Sequence, residues 1–137
     1  MPLPLNALPP LRGLHLCREF RRVDDSVHVS QCEKALADGG VSSNIMIDCS
    51  HANSSKNPDI QPLVLKDVTH QILEGNKSII GVMLESFING GSQSIPENLD
   101  NLKYGISVTD ACMDWATTEQ SLLEMAAKIR ETLVKRT

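Results

Sequence analysis

Three residues of this chain combine types and positions that could do chemistry: His51, Glu85 and Asp110. Each stands where an apolar run gives way to polar residues. Asn44-Ile45-Met46-Ile47-Asp48 runs into Cys49-Ser50-His51, Ser78 to Leu84 runs into Glu85-Ser86, and Ile106-Ser107-Val108-Thr109 runs into Asp110. An imidazole nitrogen and two carboxylate oxygens delivered from strand ends form the donor set of a divalent metal site. Each residue also has a plainer reading when taken alone. His51 fits a loop histidine bonded to backbone, and Asp110 fits an N-cap for the residues after it. Asp48 either orients His51 or a neighbouring backbone group, or caps the strand end, and both readings stay open.

The elements that must position these groups alternate in type. Asp24-Asp25-Ser26 can cap a helix reaching about Ala37, with Val27, Cys32, Ala35 and Leu36 on one side and Gly39-Gly40 as its stop. The short, nearly all-apolar run 44–48 reads as a buried parallel strand. A second helix is expected over about Asp59 to Leu73, where Ile60, Val64, Val68 and Ile72 recur every four residues beside Leu65. Pro62 suits its first turn. The run 78–84 is the next buried strand. Residues 86–105, rich in Gly, Asn and Ser, read as a long loop, with a short strand or irregular return after it at about 106–109. Thr117-Thr118-Glu119-Gln120 resembles a capping box for a last helix with Leu122, Ala126, Ile129 and Leu133 as its apolar face.

Helix, strand, helix, strand, loop, helix implies an α/β fold with a parallel sheet. His51 and Glu85 then emerge about one βαβ repeat apart, at the C-terminal strand ends where barrels and open α/β sheets carry their sites. A full eight-fold barrel takes about 250 residues, so the two units here predict either a small open domain or the tail of a larger barrel.

Bulk properties bound the rest. A chain of 137 residues with 22% charged residues and net charge −4 gives no electrostatic footprint for nucleic acid. No run approaches the roughly 18 apolar residues of a membrane span. Pro2, Pro4, Pro9 and Pro10 break up the N-terminal apolar residues, no basic region precedes them, and no signal peptide is expected. Cys17, Cys32, Cys49 and Cys112 form no C-x-x-C pair and suit reduced thiols of a cytoplasmic protein. Residues 1–23, rich in Pro, Leu and Arg, show neither period and read as an irregular segment or a misread start, ahead of a regular portion over 24–137.

Three strings carry a resemblance. Ile45-Met46-Ile47-Asp48-Cys49-Ser50-His51-Ala52-Asn53-Ser54-Ser55-Lys56, then Ile79-Ile80-Gly81-Val82-Met83-Leu84-Glu85-Ser86, then Tyr104-Gly105-Ile106-Ser107-Val108-Thr109-Asp110-Ala111-Cys112 with Trp115 beyond, resemble in order and near-spacing the motifs of class I 3-deoxy-D-arabino-heptulosonate 7-phosphate (DAHP) synthases. The resemblance runs from about Asp24 to the C-terminus. It implies the C-terminal part of a (β/α)8 TIM barrel, and therefore a fragment. It implies condensation of phosphoenolpyruvate with erythrose 4-phosphate, the first step of the shikimate route to aromatic amino acids. It implies a divalent metal such as manganese or iron, with His51, Glu85 and Asp110 as ligands, and a homo-oligomer in the cytoplasm.

Departures from the family pattern matter as much. The family's fourth ligand is a cysteine from an early strand, and neither Cys17 nor Cys49 stands at its place. Leu11-Arg12-Gly13 is similar to a Leu-Arg-Gly-Gly string whose arginine binds phosphoenolpyruvate, so Arg12 is a candidate substrate contact, but Leu14 replaces the second glycine. Gly91-Ser92-Gln93 stands where Gly-Asn-Gln is common. Lys56 matches the lysine closing the first motif and is given no catalytic role. Trp115 is expected to pack rather than bind. Two readings compete: part of an active transferase, or an inactive remnant or interaction module lacking substrate-binding residues. A different metal-dependent enzyme, such as a hydrolase, is disfavoured by the length of the Ser-His-Ala-Asn-Ser-Ser-Lys string.

Overall fold

The structure, a computed structural model, describes residues 25–136 and the backbone of 15–17. Mixed helices and strands give the expected α/β fold. The sheet has three parallel strands, with β2 (Ile45–Asp48) between β1 (His15–Cys17) and β3 (Ile79–Met83). Strand β1 lies inside the segment read as irregular. A three-residue strand is too short to leave a readable period in sequence.

Helix α1 (Ser26–Asp38) starts where expected. Asp25 accepts hydrogen bonds from the Val27 and His28 amides at 3.0 Å and satisfies two of the helix's orphan donors. Its buried stripe is Val29, Cys32 and Leu36, so Val29 takes the place expected for Val27, which is exposed. Cys32 is disulfide-bonded, whereas Cys112 is a free thiol. The expectation of reduced cysteines therefore fails at Cys32.

Helix α2 (Gln61–Leu73) comes after a 3-10 turn at Pro58–Ile60 and buries Val64, Leu65, Val68 and Ile72, the stripe the four-residue period predicts. These side chains meet Ile45 and Ile47, both fully buried, and Ile79 to form the core. Burying one such side chain is worth about 1.5–3 kcal/mol. The core thus clamps β2 and β3 side by side, and their C-terminal ends open in the same direction.

From Ser86 to Asp114 the chain is irregular apart from a 3-10 turn at Leu99–Asn101, as its composition suggests, but it is tied down. Isolated bridges join Ser86 to Met113, Gly91 to Cys112 and Ser92 to Ser107. Gln93 adds three side-chain bonds, donating to the Lys103 and Ile106 carbonyls and accepting from the Lys103 amide. The span 106–109 is therefore an irregular return and not a strand.

Helix α3 (Trp115–Val134) begins before the expected capping box. Asp114 is its N-cap and accepts from the Thr117 amide at 2.7 Å. The face it buries is also rotated from the expected one. Thr118 and Ile129 are buried and Met125 packs against the core, whereas Leu122 and Leu133 are exposed. Polar anchors set this rotation: the Thr118 hydroxyl bonds Ser86, and the Arg136 guanidinium donates to the carbonyls of Asn76 and Ile79 at the start of β3. Trp115 is 57% exposed, so the packing expected of it is absent. His70 on α2 is exposed. No helix among the described residues is long and apolar enough to cross a membrane.

Candidate metal centre

The site begins where β2 stops. Asp48 is 2% exposed and uses both carboxylate oxygens. One accepts from the Ser50 amide at 2.9 Å, and the other from His51 Nδ1 at 2.7 Å. Asn53 donates to the Asp48 carbonyl at 2.6 Å, and the Lys56 amide returns to the His51 carbonyl at 2.7 Å. These bonds wind residues 48–56 into a tight turn that places His51 at φ 37°, with Ser55 and Lys56 also at positive φ. Left-handed backbone in non-glycine residues costs of order 1–3 kcal/mol and persists only where surroundings over-determine it.

The Asp48 contact also fixes the imidazole. An ionised carboxylate only accepts, so Nδ1 carries a ring proton, and in the neutral imidazole Nε2 is then the nitrogen that presents a lone pair. Nε2 lies 3.4 Å from Glu85 Oε1 and 3.9 Å from Asp110 Oδ2. One donor atom each from His51, Glu85 and Asp110 falls within a 4.8 Å cluster. The three residues singled out in sequence are thus brought together in space, although Asp110 comes from an irregular segment and is 54% exposed in its side chain.

Glu85 stands two residues beyond β3, and its supports are invisible in sequence. Ser50 Oγ donates to Glu85 Oε2 at 2.5 Å. Gln61, 1% exposed in the first turn of α2, bonds the Glu85 backbone twice: Oε1 accepts from the amide at 2.9 Å and Nε2 donates to the carbonyl at 3.1 Å. Nothing in a Gln beside Pro62 announces such a role; only its complete burial does. Cys112 borders the cluster, with Sγ 3.5 Å from the Asp110 carbonyl. Burial pushes its thiol pKa up, the carboxylates of Glu85 and Asp110 push it further, and a bond to Ser107 opposes them. The thiol form is favoured, which disfavours thiolate chemistry.

The donors fit a divalent cation. Asp48, Glu85 and Asp110 gather three carboxylates around one imidazole, and among the described residues no lysine or arginine forms an ion pair with them. A nitrogen-plus-oxygen set of this kind suits manganese, iron or zinc better than a soft thiolate-loving ion. Arg12 lies outside the described residues. Lys56 is exposed.

A parallel α/β unit with a His–Glu–Asp cluster at its C-terminal strand ends defines a class, the α/β proteins with a candidate metal site. Comparison with known proteins makes this specific. The sequence model of the DAHP synthetase I family matches residues 14–123, and the chain belongs to that family. It is 48% identical over 108 residues to the Tyr-sensitive phospho-2-dehydro-3-deoxyheptonate aldolase of Enterobacter agglomerans, covering 79% of this chain and 51% of the relative. It is 44% identical over 108 residues to the Tyr-sensitive enzyme of Escherichia coli, covering 79% of this chain and 30% of the relative. A solved structure of phospho-2-dehydro-3-deoxyheptonate aldolase from Francisella tularensis superposes with a TM-score of 0.72 at 36% identity, over 78% of this chain and 30% of that one. The chain therefore spans about half of one of these relatives and under a third of the other two.

Proposed function

We propose that this chain forms the C-terminal metal-binding part of a (β/α)8 DAHP synthase, acting in the cytoplasm as part of a homo-oligomer. The whole protein would condense phosphoenolpyruvate with erythrose 4-phosphate to give DAHP and phosphate, the first step of the shikimate pathway. His51, Glu85 and Asp110 would hold a divalent metal, manganese or iron. When bound, that metal would act as a Lewis acid on the erythrose 4-phosphate aldehyde. The observation that carries this reading is the convergence of the three motif residues on one 4.8 Å cluster in a chain of this family.

The chain's own residues prepare the centre. Asp48 holds the His51 proton on Nδ1 and keeps Nε2 free to donate. Ser50 occupies one oxygen of Glu85, which leaves the other aimed at His51. Asp110 completes the cluster from the exposed side, where a substrate would enter.

The 137 residues alone are expected to show little or no condensation. Phosphate recognition calls for lysines and arginines, and among the described residues the cluster gathers neither these nor a fourth metal donor. Phe87, Ile88, Tyr104 and Val108 expose apolar surface beside the centre, which favours a chain whose neighbours cover it in a larger barrel. Titrating Mn2+ into the purified chain tests the metal assignment. Saturable binding that weakens in His51→Ala, Glu85→Gln and Asp110→Asn is expected. Equal binding by all four chains sinks it, and measurable turnover of the two substrates by the chain alone sinks the expected inactivity.

A further inference from the structure

Strand β2 ends its pairing with β3 at Asp48 opposite Met83, and the Cys49 amide makes the last backbone bond, to the Met83 carbonyl at 2.9 Å. Beyond that point β2 turns away through residues 50–56. The chain after β3 continues to Glu85 without a strand on that side. The Gln61 side chain stands in the missing strand's place. Its amide offers one acceptor and one donor in the order a neighbouring peptide would, and both are spent on Glu85. The Met113 amide donates to the same Glu85 carbonyl at 3.0 Å. The Glu85 backbone is therefore tied both to α2 and to the segment that carries Asp110.

We infer that Gln61 is a positioning residue of the metal centre: it acts as a surrogate strand residue that fixes the Glu85 peptide, and through it the height of the Glu85 carboxylate relative to His51. This rests on the metal-centre reading of His51, Glu85 and Asp110. Only an amide suits the place. A carboxylate would set acceptor against the Glu85 carbonyl, and a hydrocarbon would leave the Glu85 N–H without its partner. Buried in the core-facing first turn of α2, Gln61 reaches neither the cation nor solvent, so its influence must pass through Glu85.

The test uses the 137-residue chain with Gln61→Met, which keeps the side chain's bulk and removes its hydrogen bonds. Thr69→Val, on the same helix but bonded only within it, serves as a control for loss of α2 stability. Glu85→Gln checks the metal reading itself. Circular dichroism confirms that each variant is folded at the working temperature. Mn2+ affinity is then read by calorimetry, and amide hydrogen exchange at Glu85 by NMR. Gln61→Met is expected to lose roughly 10- to 100-fold in Mn2+ affinity, the range for partners that orient a metal ligand. It should also lose exchange protection at Glu85 while the Ile45 and Ile47 amides keep theirs. Thr69→Val should leave both readouts at the wild-type level. A Glu85→Gln effect without a Gln61→Met effect overturns the inference alone, as does an equal loss in Thr69→Val. Unchanged affinity in Glu85→Gln overturns the metal reading and this inference with it. Failure of Gln61→Met to fold moves the test to Gln61→Glu, which keeps an acceptor for the Glu85 amide. An affinity there equal to wild type overturns the inference, and a loss supports it.

Discussion

The two carboxylates of the candidate centre are held in opposite ways. Glu85 leaves a buried strand and is fixed at its peptide by Gln61 and Met113 and at its carboxylate by Ser50. Asp110 sits in an irregular return, half-exposed, and owes its place to bridges around Gly91 and Ser92 and to the Gln93 amide. The first side is positioned by a strand of the packed core and by part-buried hydrogen bonds, the second by surface hydrogen bonds. Core packing is cooperative and costly to disturb, whereas exposed bonds open locally at little cost. The centre is therefore expected to have a rigid wall, His51 and Glu85, and a yielding one, Asp110.

Substitutions can break or sharpen this contrast. The largest effect should come from Ile47→Ala, which empties a fully buried position under the rigid wall. A loss of about 2–5 kcal/mol is expected in denaturant unfolding; a loss below about 1 kcal/mol would deny that the core positions His51. Asp48→Asn comes next. Asn has one acceptor oxygen for two donors, so either the Ser50 turn bond is lost or the ring proton moves to Nε2. Mn2+ affinity should fall about 10- to 100-fold, and an unchanged affinity would separate Asp48 from the imidazole. Gln93→Ala should cost about 1–2 kcal/mol, felt as faster amide exchange over 103–113 with the β2 and β3 amides unaffected. Spread of that effect into the sheet would erase the difference between the two walls.

The smallest effect concerns Asp25, far from the centre. Its pKa is lowered, first by the His28 backbone bond, with further help from the His28 side chain and the Val27 amide. A depressed folded-state pKa gives stability that is present above the ordinary aspartate value and lost as pH falls through the folded one. Asp25→Ala should cost about 0.5–1 kcal/mol at neutral pH, at the lower end of N-cap values because the group is exposed. The gap to wild type should close in acid unfolding, and a gap that widens there would contradict the assigned sign.

The same contrast explains what can be read from sequence. The rigid wall is legible. The apolar runs 44–48 and 78–84 and the stripe Val64, Leu65, Val68, Ile72 report burial directly, because periodicity is the imprint of packing. Strands placed in this way put His51 and Glu85 at one edge. The yielding wall is legible only as a loop, since side chain-to-backbone bonds such as those of Gln93 leave no period. Asp110 needs the family resemblance to stand out. The rotation of α3 escapes a sequence reading because polar anchors at Ser86 and at the start of β3 outweigh its richer apolar stripe. Strand β1 escapes it because three residues carry no pattern, and the pairing of Cys32 because spacing alone does not report it.

His51 carries two demands at one position, and a saturation library there would separate them. Selection for a stable fold should favour Gly and Asn, which enter the left-handed region at little cost, whereas other residues are penalised by roughly 1–2 kcal/mol. Selection for retained metal should favour side chains that donate an electron pair. Asp meets both demands in part, so it is the expected survivor of a double selection. The two sequence logos, one for fold and one for metal, would then disagree at this residue more than at any other of the 48–56 turn.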